Sequence, residues 1–160
     1  MNMDENNTQE IGITGVRLQP LAVIPTPGGA VMHMLRPGAA LFSDFGEGFG
    51  EIYFSEILNG HIKAWKRHTR QTQHFAVPVG QIKIVLYDDR EHSPTRGVLR
   101  ELALGRPNHY SLLRIPVNVW YGFTTLNDRY ALICNCPDIP HDPKESISIP
   151  ATDPTIPYHW

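Results

Sequence analysis

Lys66, His68 and Gln73 fall within one short stretch, Gly60 to Gly80 (GHIKAWKRHTRQTQHFAVPVG), where polar side chains interrupt strand-like hydrophobic alternation. Their types suit proton chemistry next to a carbonyl group. An imidazole that is neutral near pH 7 takes a proton from carbon readily, which makes His68 a candidate base. Lys66 is a second candidate base, or an anchor for a ligand oxygen or a phosphate. Gln73 can donate to a developing enolate oxygen, but without charge it stabilises that oxygen less than a lysine would. Farther along, Tyr121 is the better candidate proton donor and Cys134 a weaker one, though both also fit simple core packing. Arg90 and Arg96 lie in DDREHSPTRG, either a solvated turn or a loop that meets a diphosphate by bidentate pairing. As a first shell for a transition metal the set is poor, since only His68 is a good ligand, and no bound metal is expected.

The elements that must position these groups are strands. From Glu51 onward, runs of β-branched, aromatic and aliphatic residues are separated by turn signals, the mark of an all-β sandwich or barrel. Strands are predicted near Glu51 to Leu58, Ile62 to Arg67, His74 to Val79, Gln81 to Asp88, Leu99 to Leu104, Ser111 to Ile115, Val119 to Thr125 and Tyr130 to Cys136. Alternation puts Ile62, Ala64, Lys66 and His68 on one face and Lys63, Trp65 and Arg67 on the other. It groups Gln73 with Phe75, Val77 and Val79, and Val119 with Tyr121 and Phe123. Tyr130, Leu132, Cys134 and Cys136 would form a third wall. The result is an apolar pocket, with Phe75 and Phe123 against the ligand and a few polar groups inside. Helical periodicity is weak throughout, and frequent Pro and Gly leave no room for long helices.

With 160 residues, 41% hydrophobic and 19% charged, the chain has the composition of one soluble domain. A net charge of -2, with Lys and Arg scattered rather than striped, argues against a nucleic-acid or membrane-surface partner. Cys134 and Cys136, one residue apart on a strand, are poorly placed to bridge each other, which suggests a reducing compartment and a cytoplasmic protein. No stretch approaches the roughly 20 apolar residues of a membrane span. Residues 1–10 lack apolar periodicity and read as a frayed tail, while residues 11–160 form the domain. Ile11 to Gly50 is irregular, and the Pro-rich tail from Pro137 reads as an extended outer strap.

The spacing from Gly60 through Lys66, His68 and Gln73 to Gly80 resembles the first sequence motif of the cupins, with Lys66, His68 and Gln73 at the usual ligand positions. VLYDDREHSPTRG (Val85 to Gly97), followed by IPVNVWYGF (Ile115 to Phe123), resembles the dTDP-4-dehydrorhamnose 3,5-epimerase family of metal-free cupins. The similarity runs from about Gly50 to Asp142. It implies a double-stranded β-helix of jelly-roll type with Lys66 and His68 inside, and a homodimer to which the N-terminal segment contributes. In that family a His abstracts the proton next to the 4-ketone of the sugar, a Lys stabilises the enolate and a Tyr reprotonates. Here those positions fall on Lys66, Gln73 and Cys134, and Tyr121 replaces a further His. The partner Asp near the family's C-terminus has no clear match. The resemblance therefore implies a cofactor-independent epimerase or isomerase of a nucleotide-linked 4-keto-6-deoxy sugar, in surface polysaccharide or glycoside biosynthesis. Lys66 or His68 would be the base, Gln73 the oxyanion donor and Tyr121 the acid. The alternative is a catalytically silent cupin that binds a sugar nucleotide or a partner protein.

Overall fold

The computed structural model describes residues 7–46 and 48–160. Four short strands, β1 (Gln9–Glu10), β2 (Arg17–Pro20), β3 (Val23–Thr26) and β4 (Gly29–Met32), precede a 3-10 helix, Ala40–Phe45. The regular part follows as β5 (Tyr53–Leu58), β6 (Ile62–His68), β7 (Gln73–Val79), β8 (Gln81–Asp88), β9 (Leu99–Gly105), β10 (Ser111–Ile115), β11 (Val119–Thr125) and β12 (Tyr130–Asn135). A last strand, β13 (Ser146–Ser148), lies in the tail. The eight central strands fall where their alternation and turn residues predict. Gly80 shows why the turn signals work: it joins β7 to β8 at φ +73, and a Cβ there would meet the Tyr130 carbonyl oxygen at 2.8 Å.

Two antiparallel sheets face each other, one ordered β1-β2-β10-β7-β12-β5 and the other β13-β6-β11-β8-β9. This is the expected all-β cupin jelly roll. Between the sheets lies a core that includes Phe75, Val77, Ile84, Leu86, Leu113, Tyr121, Phe123 and Ile133. Each fully buried large apolar side chain of this kind contributes about 1.5–3 kcal/mol.

The outer faces of both sheets are also covered. Leu21, Leu41 and Tyr110 pack with Ala76 and Leu112 on the outside of the six-stranded sheet. The tail places Ile156, Tyr158 and Trp160 over Trp65, Val85 and Trp120 on the outside of the other. The tail is thus more than a strap, because β13 pairs with β6 through Ser146↔His68 and Ser148↔Lys66. At the other end, Gln9 and Glu10 pair with Leu18 and Arg17 rather than fraying as expected. The first six residues of the expected tail lie outside the described residues.

Strand alternation fails at one place that matters. Tyr121 pairs with Lys66 but Phe123 pairs with Lys63, so two residues of β6, Ala64 and Trp65, stand opposite Gly122. A bulge of this kind flips the side chains beyond it. Lys63, expected on the outer face with Trp65 and Arg67, consequently turns toward the inter-sheet cavity, where its ammonium donates to Ser55 Oγ at 3.3 Å and the Glu56 carbonyl at 2.5 Å. Gly122 permits the bulge, since a Cβ there would lie 2.4 Å from Ala64 Cβ and 2.7 Å from the Trp160 ring.

Candidate active site

A cavity of about 340 Å³ opens between the sheets. Tyr53, Phe75, Ile133 and Asn135 line it from the six-stranded sheet, and Lys63, Lys66, Tyr121, Phe123 and Ser148 from the other. The volume falls in the usual range for a small-molecule site. Phe75 meets Tyr121 and Phe123 edge-on at centroid distances of 5.5 and 6.3 Å, forming the apolar side expected from the sequence.

One wall carries a hydrogen-bonded chain that ends in a buried carboxylate. Glu145, in the turn just before β13, is 3% exposed and its Oε1 meets His68 Nδ1 in a short contact. Glu145 Oε2 accepts from the backbone N–H groups of Thr69, Arg70 and Gln71 at 3.1, 3.3 and 3.3 Å. Burial pushes the Glu145 carboxyl pKa up, but the hydrogen bonds from His68 and the backbone outweigh it and leave the pKa lowered, so the group is ionised. Burial lowers the His68 pKa; Glu145 opposes this and the nearby Lys66 ammonium adds to it, for a net lowering. His68 is therefore neutral near pH 7. A carboxylate can only accept, so the single imidazole proton sits on Nδ1. His68 Nε2 must then accept the hydroxyl proton of Tyr121, 3.0 Å away. Tyr121 is the member of this chain that lines the cavity. Burial also raises its phenol pKa strongly, which keeps the hydroxyl protonated at rest. The order Glu145–His68–Tyr121 places a tyrosine oxygen with free lone pairs against the ligand space, and this reverses the role of acid expected for Tyr121.

Lys66 lies beside this chain, and among the described residues no hydrogen bond or ion pair engages its ammonium. Its charge is free to meet a developing oxyanion.

The facing wall is neutral. Asn135 Nδ2 donates to Tyr53 Oη at 2.8 Å and to Gln73 Oε1 at 2.5 Å. Gln73 Nε2 donates in turn to Gln71 Oε1 at 2.8 Å, and Gln71 Nε2 to the Ile139 carbonyl at 2.7 Å. Gln73 is buried as predicted, but both ends of its amide are occupied and it does not line the cavity. The role of oxyanion donor does not fit it.

Three further expectations are corrected. Cys134 pairs with Ala76, a member of the outer cluster, so the inner face of β12 is Ala131, Ile133 and Asn135 rather than Tyr130, Leu132, Cys134 and Cys136. The inversion arises because β12 is covered on both faces near Cys134, which leaves alternation without a visible phase. Burial raises the thiol pKa of Cys134, and away from the cavity it has no proton to give to a ligand. Arg90 is engaged inside its own loop: its Nε and Nη2 donate to the fully buried Asp88 carboxylate at 2.8 and 2.9 Å, and Nη2 also reaches the Thr14 carbonyl. Arg96 is exposed in the same loop, and neither arginine lines the cavity. Among the described residues, no group of three His, Cys, Asp or Glu side chains is placed to hold a metal ion.

Sequence reasoning missed Glu145, Tyr53, Asn135 and Lys63. Tyr53 had a signal, since Tyr53, Ser55 and Ile57 alternate onto the inner face of β5. Glu145 had a fainter one, a carboxylate directly before the alternating SIS of β13.

The family model for dTDP-4-dehydrorhamnose 3,5-epimerase matches residues 56–160. A crystal structure of a dTDP sugar isomerase from Desulfovibrio desulfuricans G20 is 53% identical, superimposes with a TM-score of 0.90, and is matched over 95% of this chain and 94% of that one. The spore coat polysaccharide biosynthesis protein SpsL of Bacillus subtilis is 30% identical over 92% of this chain and 96% of its own length. The probable low-salt glycan biosynthesis epimerase Agl13 of Haloferax volcanii is 41% identical, over 53% of this chain and about half, 54%, of that protein. The family model's match takes in the strands that carry His68 and Tyr121 as well as the turn that carries Glu145, and the chain belongs to the dTDP-4-dehydrorhamnose 3,5-epimerase family.

Proposed function

We propose that the protein is an epimerase or isomerase of a nucleotide-linked 4-keto-6-deoxy sugar, acting by proton abstraction next to the ketone without a cofactor. The observation that carries this reading is the Glu145–His68–Tyr121 chain ending on the cavity. In this mechanism the Tyr121 oxygen takes the proton from carbon while its own hydroxyl proton passes to His68 Nε2. Glu145 stabilises the imidazolium that forms, as the carboxylate of a catalytic triad does. Lys66 meets the negative charge that develops on the ketone oxygen. A silent sugar-nucleotide binder would have no use for a buried carboxylate aligned on a neutral imidazole, an arrangement that is costly to desolvate.

The relatives named for glycan and spore coat polysaccharide biosynthesis support a role in building a surface polysaccharide or glycoside. We place the protein in the cytoplasm, a reading supported by two buried free cysteines. No helix among the described residues is long and apolar enough to cross a membrane. We read the native form as a homodimer, supported by Ile24 and Val31, which pair across β3 and β4 and stand 44% and 50% exposed.

The test is solvent exchange. Incubation with dTDP-4-keto-6-deoxyglucose in D₂O should place deuterium at C3 or C5 well above the buffer rate. Tight binding with exchange only at the buffer rate would instead support the silent binder.

A further inference from the structure

Two tyrosines face each other across the cavity with opposite hydrogen-bond polarity. Tyr121, on β11 of the five-stranded sheet, gives its proton to His68 and shows the ligand an oxygen that can accept. Tyr53, on β5 of the six-stranded sheet, is in the reverse state. The orientation of the Asn135 amide is fixed because its Oδ1 accepts from the His74 backbone N–H at 3.1 Å, which turns Nδ2 toward Tyr53. The Tyr53 oxygen therefore accepts, and among the described residues nothing accepts its own proton. That proton is free for a ligand.

We propose that Tyr53 is the general acid that delivers a proton to the sugar carbon on the face opposite Tyr121, an assignment that rests on the enzymatic reading above. The step balances. The carbon gives its proton to Tyr121 Oη, Tyr121 gives its own to His68 Nε2, and the electron pair of the broken C–H bond moves into the enolate. The enolate carbon then takes the Tyr53 hydroxyl proton on its other face and the ketone re-forms. Tyr53 is left as a phenolate that still accepts from Asn135 Nδ2. At 37% exposure it recovers a proton from water, while the His68 imidazolium passes its Nε2 proton back to Tyr121 and the substrate-derived proton leaves Tyr121 for solvent, replacing the one that water gave up. Burial, joined by the Glu51 and Glu145 charges and only partly opposed by Asn135, raises the Tyr53 pKa and holds it in the donor form at neutral pH. Removal and return from opposite walls is what inversion at carbon requires.

The test separates exchange from inversion. Wild type and Tyr53→Phe are incubated with dTDP-4-keto-6-deoxyglucose in D₂O, with deuterium followed by mass spectrometry and the epimer by NMR. Tyr53→Phe should exchange within about threefold of wild type, while its epimer formation falls roughly 10²- to 10⁴-fold, the range for loss of a general acid. Asn135→Asp puts an acceptor where the donor stood, captures the Tyr53 proton and should give the same signature without altering the ring. Epimer formed at the wild-type rate by either variant overturns the assignment alone, as does joint loss of exchange and inversion in Tyr53→Phe, or exchange without epimer in wild type. A wild type that does not exchange overturns the enzymatic reading and this assignment with it.

Discussion

The two walls of the cavity are built from the same materials, a tyrosine backed by a chain of buried hydrogen bonds, yet the chains end differently. Behind Tyr121 lies an imidazole and then an ionised carboxylate with 3% exposure. Behind Tyr53, among the described residues, lie amides, Asn135, Gln73 and Gln71, and a backbone carbonyl. A chain that ends in a negative charge stabilises a proton moving inward along it. A chain of neutral amides fixes direction but takes up no charge. The difference teaches that direction of proton flow can be assigned from what lies two residues behind the group that touches the ligand.

The largest expected effect breaks the charged chain. His68→Ala should lower deuterium exchange roughly 10²- to 10⁴-fold, the usual contribution of a general base, while sugar-nucleotide binding changes much less. Gln73→Leu, which cuts the neutral chain one group deeper, behind Asn135, should leave exchange within about tenfold of wild type in folded protein. Equal losses in both variants would erase the distinction between the walls.

The next effect is on pH. The folded-state pKa of His68 lies below its usual 6.5, so exchange should be flat above that value and fall only on the acid side. Stability has the same sign. His68 and Glu145 both have lowered folded pKa values, so between the folded and unfolded values the unfolded chain binds more protons and stability rises with pH. Their contribution is fully present above about pH 6.5 and is lost as pH falls through the folded values. A His68→Asn variant should show a flatter melting-temperature profile between pH 4 and 7, about the range where these groups titrate. An unchanged profile would contradict the coupling.

The smallest effect on chemistry lies outside both walls. Arg90→Ala leaves Asp88, a carboxylate with no exposure, without its arginine, and should cost about 2–3 kcal/mol of stability. Substrate affinity in the folded variant should be unchanged. A loss of affinity without a loss of stability would return Arg90 to the binding site.

The fold was legible because strand alternation and turn chemistry are local. Val119 to Thr125 is bounded as β11 where its pattern begins and ends, and Gly80 marks the turn before β8. The site was legible only in part, since it depends on contacts distant in sequence. His68 was found by type and spacing. Its partner Glu145 lies 77 residues away, and nothing local in the proline-rich tail shows that β13 will pair with β6 and bring it back. Lys63 was assigned to the wrong face because one bulge opposite Gly122 shifts the register. Cys134 was misassigned because burial on both sides of β12 hides which face is inward.

If Tyr121 conveys the substrate proton to His68, Tyr121→Phe should stop that transfer. The substitution removes one oxygen and leaves His68, Glu145 and the aromatic packing in place. In D₂O with dTDP-4-keto-6-deoxyglucose, the variant should bind the sugar nucleotide with near wild-type affinity and exchange at least about 10²-fold more slowly, at every pH above 6.5. Exchange at the wild-type rate in Tyr121→Phe would show that His68 or Lys66 reaches the carbon directly, and would contradict the account.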